Sequence, residues 1–332
     1  MKYRVVFTDP HQHTLNEDEL RAVLRTADAQ YEVRRCLTDQ DVIDLCCEAD
    51  TIMTSQAVIS QKAIEALGKC RHIARVGTGF EHIDLVAAGQ RGIPVTNVPG
   101  FCTHEVATHA VLVALACDRQ LLYLDQQLRQ GHWRQFDLCD TAERLEGRVF
   151  GVVGFGAIGQ AAARRAAAFG LKLLFYDPYL KASPADLPAE KCVTLDDLLR
   201  QSDFVSLHTA LTSESNFLIG SRELELMKPT AVLVNTARGA VVDQDALIAA
   251  LEGGQIAAAG LDVFDPEPLP TDSPLCQMKN VILSPHTSGH TKGSMSEVKR
   301  RTVEEVVRGL RGEPLLHIVN SQWLKPAPRS NG

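Results

Sequence analysis

The sequence predicts an α/β protein of two doubly wound parallel sheets, and three observations carry that expectation. Short β-like runs alternate with helical ones along most of the 332 residues. A glycine fingerprint, Gly154-Phe155-Gly156-Ala157-Ile158-Gly159, stands between one such run and an alanine-rich stretch. With 45% hydrophobic and 23% charged residues, the chain has an ordinary globular composition and the length for two separate cores.

The elements follow in order. In the first hundred residues, runs at 4–7, 31–33, 51–53 and 72–76 alternate with helical stretches at 17–27, near 40–47 and at 60–67. This is an α/β unit without a dinucleotide fingerprint. Residues 103–130, rich in Val, Leu and Ala, read as one long helix followed by Gly131-His132-Trp133-Arg134. It is expected to link the two domains and, being apolar on more than one side, to pack against a second copy of the chain. Six further strands are expected at 149–153, 172–176, 204–207, 231–234, 257–261 and 281–283. Thr194 and Asp243 stand where a side chain would cap the helix that follows. The last residues, 325–332, read as a disordered tail.

Bulk properties exclude several function classes. The net charge is −7, from 34 basic and 41 acidic side chains, and no dense Lys/Arg run occurs, so nucleic acid is not an expected partner. The apolar run at the N-terminus is too short for a signal peptide, and nothing approaches a membrane span. A cytoplasmic protein with no membrane partner is expected. Nine cysteines, odd in number and without C-x-x-C spacing, fit reduced thiols. His286 and His290 are four apart, but 287–289 do not read as helix, so no metal site is expected.

The fingerprint carries the first chemistry. Gly154, Gly156 and Gly159 permit a tight turn, close backbone approach to a pyrophosphate, and close packing of helix on strand. The phosphates then meet free N–H groups at the start of the helix, around Ala157 and Ile158. Asp177, closing the next strand, can accept both ribose hydroxyls and would repel a 2′-phosphate, which favours NAD over NADP.

In a doubly wound sheet the ligand lies beyond the carboxyl ends of the strands. Those positions carry His208-Thr209, then Asn235-Thr236-Ala237-Arg238-Gly239, then Asp262, then His286, with Glu267 on the loop after Asp262. A guanidinium grips a carboxylate with two parallel hydrogen bonds. An imidazole can deliver a proton to a carbonyl oxygen as hydride reaches its carbon, and a neighbouring carboxylate would orient the ring and favour its charged form. A reductase of a ketone beside a carboxylate needs that set.

These residues carry a resemblance. Arg75-Val76-Gly77-Thr78-Gly79-Phe80-Glu81-His82-Ile83-Asp84, Asn97-Val98-Pro99-Gly100, the fingerprint, His208-Thr209-Ala210-Leu211-Thr212, Met227-Lys228-Pro229, Asn235 to Gly239, Gly260-Leu261-Asp262-Val263-Phe264 and Ser284-Pro285-His286 resemble the D-isomer-specific 2-hydroxyacid dehydrogenase family, over residues from roughly 1 to 320. Gly77 to Phe80 and Leu174 to Leu180 look most like the C-terminal binding protein branch. The resemblance implies a flavodoxin-like substrate domain and a Rossmann NAD-binding domain with the active site in the cleft. The implied boundaries are 1–98 for the first part of the substrate domain, 99–287 for the NAD domain with the long helix, 288–322 for the return, and 323–332 for the tail.

It also implies roles. Arg238 would bind substrate, His286 would be the acid–base residue and Glu267 its partner, while the N–H groups of Thr78 and Gly79 would hold the substrate carboxylate. Asp262 would contact the nicotinamide carboxamide, and His208, Thr209, Thr236 and Ala237 would line the cofactor groove. The expected activity is an NAD-dependent hydride transfer on a small D-2-hydroxy or 2-oxo acid, in a homodimer.

Two departures bear on this. The C-terminal binding proteins have a tryptophan where this chain has Gly289, and formate dehydrogenases have a glutamine where it has Glu267. Formate is disfavoured, and so is a corepressor-like ligand preference. An NAD(H)-sensing regulatory protein and a short phosphoglycerate dehydrogenase are the alternatives.

Overall fold

The computed structural model describes residues 1–9, 17–139 and 142–324, so the 325–332 tail lies outside the described residues. The chain divides into two compact units, one formed by Met1–Phe101 with the segment from Thr291 onward, the other by Cys102–His290.

The first unit runs β1 (Tyr3–Phe7), α1 (Glu17–Arg25), β2 (Ala29–Val33), α2 (Asp39–Cys46), β3 (Thr51–Thr54), α3 (Gln61–Glu65), β4 (His72–Arg75), α4 (Leu85–Gln90) and β5 (Val95–Thr96). The strands pair in parallel in the order β2-β1-β3-β4-β5, a flavodoxin-like arrangement. Local chemistry starts its helices. Thr38 and Asp41 form a capping box on α2, Ser60 accepts the Ala63 N–H at the start of α3, and Asp84 that of Ala87 at the start of α4.

The second unit opens with α5 (Thr103–Asp118) and α6 (Leu121–Arg129). The single long helix expected over 103–130 is therefore two. Gln120 between them takes φ 47°, the left-handed region that interrupts a right-handed helix. None of the residues of α6 is buried, so no packing holds it in line with the largely buried α5.

There follow β6 (Val149–Val153), α7 (Ala157–Ala167), β7 (Lys172–Tyr176), β8 (Glu190–Lys191), α8 (Leu195–Gln201), β9 (Phe204–Leu207), α9 (Ser221–Leu226), β10 (Val232–Asn235), α10 (Gln244–Glu252), β11 (Ala258–Leu261) and β12 (Val281–Leu283). All pair in parallel, in the order β12-β11-β10-β9-β6-β7-β8. The strand order reverses between β6 and β9, the switch point at which such sheets bind ligands. Thr194 and Asp243 cap as expected, accepting the N–H groups of Asp197 and Ala246.

Period-two alternation sorts the strand side chains onto two cores. Phe150, Val152, Phe204, Val232 and Val234 pack with Ala107, Ala110, Val111 and Ala114 of α5 and Ala162, Ala163 and Ala166 of α7. Val205, Leu207 and Leu233 face the opposite way, onto Leu198, Leu224 and Leu247 of α8, α9 and α10. These strands are buried on both faces, as a parallel sheet requires.

The chain then returns to the first unit as α11 (Lys292–Leu310), started by Thr291, which accepts the Ser294 N–H. Val303, Val306, Val307 and Leu310 of α11 and Leu20 and Leu24 of α1 cover Val5, Phe7 and Met53. Val6, Ile52 and Ile73 point to the other face, beneath α2, α3 and α4. Asn320 closes the β5 edge, accepting the Val95 N–H at 2.9 Å and donating to the Ile93 carbonyl at 3.0 Å. Among the described residues no helix is long and apolar enough to cross a membrane.

Candidate active site

The glycine turn joins β6 to α7. Gly154 takes φ 87°, and a Cβ there would lie 2.8 Å from the His208 carbonyl, so no other residue fits this crossing of two strand ends. Phe155 anchors the turn by stacking on Phe175 at 4.1 Å. Gly156 caps α7 without a side-chain hydrogen bond, and a Cβ at this position would meet nothing within 4 Å. The N–H groups of Ala157, Ile158 and Gly159 thus end the helix without intrahelical acceptors, beside open space. That is an anion cradle.

Asp177, just past β7, divides its carboxylate. Oδ2 accepts the Phe155 N–H at 2.8 Å, while Oδ1 accepts those of Tyr179 at 2.9 Å and Leu180 at 3.1 Å. The acid expected to read a ribose also ties the glycine turn to the end of β7.

At the ends of β9 and β10 three enclosed polar atoms have no hydrogen-bond partner among the described residues: Nδ1 of His208 and the hydroxyls of Thr209 and Thr236. Such groups cost roughly 1–3 kcal/mol each when left unsatisfied, and their gathering on the carboxyl edge of the sheet is what a polar cofactor would relieve. The other ring nitrogen of His208 lies 2.9 Å from Ser206 Oγ. Burial pushes this imidazole down to about 4, so it is neutral at pH 7. The cradle, Asp177 and these atoms together fit a dinucleotide.

Arg238 is placed by its neighbours. Asn235 accepts the Ala237 N–H at 3.0 Å and donates to the Arg238 carbonyl at 2.8 Å, which folds the loop back on β10. Gly239 then lets this loop touch the next one, since a Cβ would fall 1.9 Å from the Phe264 carbonyl oxygen. Arg238 so comes close enough to Glu267 for its charge to act on that carboxyl.

Glu267 and His286 form a pair, with Oε2 2.8 Å from the ring Nδ1, and Oε1 accepts the Phe264 N–H at 3.0 Å. Burial raises the carboxyl of Glu267, but the hydrogen bonds from His286 and Phe264 and the charges of His286 and Arg238 outweigh it, so the group sits below its ordinary range. His286 itself takes φ 52°, rare for a residue with a side chain. The pair stays open to solvent, with side chains 48% and 36% exposed.

Asp262 does something the sequence did not indicate. Its side chain is fully buried, Oδ1 accepting from Ser284 Oγ at 2.6 Å and from the Thr287 N–H at 2.9 Å, and Oδ2 from the Ser288 N–H at 2.8 Å. Its carbonyl also accepts the His286 N–H at 2.8 Å. The residue brackets the loop that presents His286. Ser284 and, behind it, His109 were missed by the sequence reading, although Ser284 lies in the quoted Ser-Pro-His motif.

In the first unit, Thr78 and Gly79 lie on the loop after β4. Asn97 donates to the Thr78 carbonyl at 2.7 Å, Thr78 Oγ1 donates to the Val98 carbonyl at 3.1 Å, and the Arg75 guanidinium donates to the Gly79 carbonyl. The loop's carbonyls are thereby held, while its N–H groups at 78 and 79 bond to no acceptor among the described residues.

A family model described as D-isomer specific 2-hydroxyacid dehydrogenase, NAD binding domain, matches residues 111–288. The chain is 40% identical over 272 residues to a glyoxylate reductase of Korarchaeum cryptofilum, covering 81% of this chain and 82% of that protein. It is 33% identical to a D-3-phosphoglycerate dehydrogenase of Archaeoglobus fulgidus over 92% of this chain, though only 58% of that longer protein. Among solved structures, an NAD-dependent formate dehydrogenase of Staphylococcus aureus in complex with NAD superposes with a TM-score of 0.85 at 29% identity, over 94% of this chain and 97% of that one.

Proposed function

The chain belongs to the D-isomer-specific 2-hydroxyacid dehydrogenase family, a family of NAD-dependent enzymes, and on that premise we propose that it interconverts a small 2-oxo acid and its D-2-hydroxy acid. The observation that carries this reading is the 2.8 Å pair of His286 and Glu267 beside the Arg238 loop. Bound NAD would supply or accept the hydride. The N–H groups of Ala157, Ile158 and Gly159 would take its phosphates and Asp177 a ribose, with Gly154 and Gly156 leaving the room and His208, Thr209, Thr236 and Ala237 lining the groove.

The Arg238 guanidinium would grip the substrate carboxylate bidentately. The N–H groups of Thr78 and Gly79, which bond to no acceptor among the described residues, are donors of the kind a carboxylate takes. On reduction, His286 would give its proton to the carbonyl oxygen, and on oxidation take it back, with Glu267 holding the ring in place through Nδ1. The Asp262 carboxylate accepts three hydrogen bonds from positions 284, 287 and 288 and keeps an acceptor site on Oδ2, so it would hold the His286 loop and contact the nicotinamide carboxamide.

Similarity to a glyoxylate reductase along four-fifths of both chains favours glyoxylate as substrate. The chain is also expected to act as a homodimer. Leu121, Leu122, Leu128, Trp133 and Phe136, all more than half exposed on α6 and the turn after it, form an apolar surface that a second copy would cover.

The test is a panel of glyoxylate, hydroxypyruvate, pyruvate, branched 2-oxo acids and, in reverse, 3-phosphoglycerate, with NADH/NAD and NADPH/NADP, run on wild type, Arg238→Ala and His286→Ala. Turnover with NADH and its loss in both variants is expected. Full rate in His286→Ala would remove the proton-transfer assignment. Tight NADH binding without turnover of any acid would replace the enzyme reading with that of an NAD(H) sensor.

A further inference from the structure

Behind the acid–base pair a polar chain runs from the buried Asp262 through the part-buried Ser284 to His109 on α5. His109 Nε2 stands 2.9 Å from Ser284 Oγ, which stands 2.6 Å from Asp262 Oδ1. The proton positions follow from what each group can do. The Asp262 carboxylate already accepts two backbone N–H groups, and an ionised carboxylate can only accept, so the single Ser284 hydrogen points to it. The Ser284 oxygen is then left to accept, and His109 Nε2 must carry a hydrogen. Nε2–H is present in the charged ring and in one neutral tautomer, so the chain does not depend on the charge of His109.

What the chain fixes is a strained loop. His286 holds φ 52°, a conformation that costs about 1–2 kcal/mol for a residue with a Cβ and persists only where the surroundings over-determine it. Here one residue supplies most of the holding bonds, beside the Ser284 carbonyl, which shares the His286 N–H at 3.1 Å, and Glu267 on the ring. Asp262 takes the His286 N–H on its carbonyl and binds positions 284, 287 and 288, on both sides of the histidine, with its carboxylate. His109, its side chain 23% exposed, supplies the donor that keeps Ser284 turned inward.

We propose that His109 is a positioning residue for His286, acting through Ser284 and Asp262 to hold the loop that aims the imidazole at the reacting oxygen. The proposal rests on the reading of His286 as the acid–base residue, and its test has one arm that does not.

The variants are His109→Gln, His109→Leu, Ser284→Ala and the double variant His109→Leu/Ser284→Ala. The readouts are kcat and KM with the best acid of the panel, the NADH dissociation constant by fluorescence, and hydrogen exchange of the 284–290 peptide. Gln can place an amide N–H where the ring Nε2–H stands, whereas Leu matches the packing without a donor. His109→Leu and Ser284→Ala should lower kcat about tenfold to a hundredfold, the effect of a misaimed catalytic group, with NADH affinity held within about twofold and exchange across 284–290 faster. His109→Gln should stay within about threefold of wild type, and the double variant should be no worse than Ser284→Ala alone, because both changes cut one chain.

Equal or better activity of Leu over Gln, or multiplying effects in the double variant, overturns the proposal. If wild type turns over no acid, the enzymatic reading fails separately, and the exchange arm decides the network: unchanged protection of 284–290 in His109→Leu and Ser284→Ala overturns it.

Discussion

His286 Nδ1 lies 2.8 Å from Glu267 Oε2, and the other oxygen of the same carboxylate is held by the Phe264 N–H at 3.0 Å. Glu267 is thus fixed at one end by backbone and free to steady a charge at the other. Replacing it with glutamine keeps an acceptor and removes the charge. Glu267→Gln should lower kcat for reduction by about 10²-fold or more. Steady-state rates with NADH at pH 7 check this, and an unchanged kcat counts against the pair.

Gly239 offers a sharper structural test. A Cβ there would stand 1.9 Å from the Phe264 carbonyl, backbone against a loop that cannot give without moving Glu267. Gly239→Ala should cost on the order of 2 kcal/mol or more of stability and lower kcat/KM even where the protein stays folded. Urea unfolding followed with kinetics on the folded fraction measures both.

Two enclosed histidines make the fold acid-sensitive. Burial pushes His72, bonded to Thr96 Oγ1 at 2.8 Å, down to about 3, and His208 down to about 4. An unfolded chain protonates both near ~6.5, so below that pH it binds protons that the folded chain refuses. Their stability contribution is whole above pH 6.5 and is lost as pH falls toward the folded values, at about 1.4 kcal/mol per pH unit for each histidine. Melting temperatures at pH 7, 6, 5 and 4 should drop progressively, and His72→Gln should flatten the slope. An unchanged slope in the variant would disprove its share.

The surface of α6 predicts assembly. Leu122→Glu with Trp133→Ser should turn a sedimenting dimer into monomer without unfolding it, since neither residue is buried within the chain. A monomeric wild type would end the homodimer reading.

Much of the fold was legible because it is written locally. Strands buried on both faces are near-continuous apolar runs, as at Val149–Val153 and Val232–Asn235, and Thr194 and Asp243 announce their helices one residue ahead. The two-residue strands Val95–Thr96 and Glu190–Lys191 carry no pattern of their own and exist only through their pairing. The interruption at Gln120 has neither Gly nor Pro to mark it. The site shows the same division. The glycine turn, Asp177, Glu267 and His286 could be picked out by type and spacing, whereas the inward turn of Asp262 could not. It depends on Ser284, which is 22 positions away in sequence, and on His109, 175 positions before Ser284.

The divided carboxylate of Asp177 has a bearing on how this protein can change. In many dinucleotide folds the acid after the second strand is an independent dial for cofactor choice. Here it is also a strut, with Phe155 on one oxygen and Tyr179 and Leu180 on the other. A lineage or an engineer that exchanged Asp177 for a small neutral residue to admit a 2′-phosphate would release the glycine turn at the same stroke. A change of cofactor must therefore start with replacement bonds for Phe155, since the carboxylate proposed to read the ribose is the one that holds the turn.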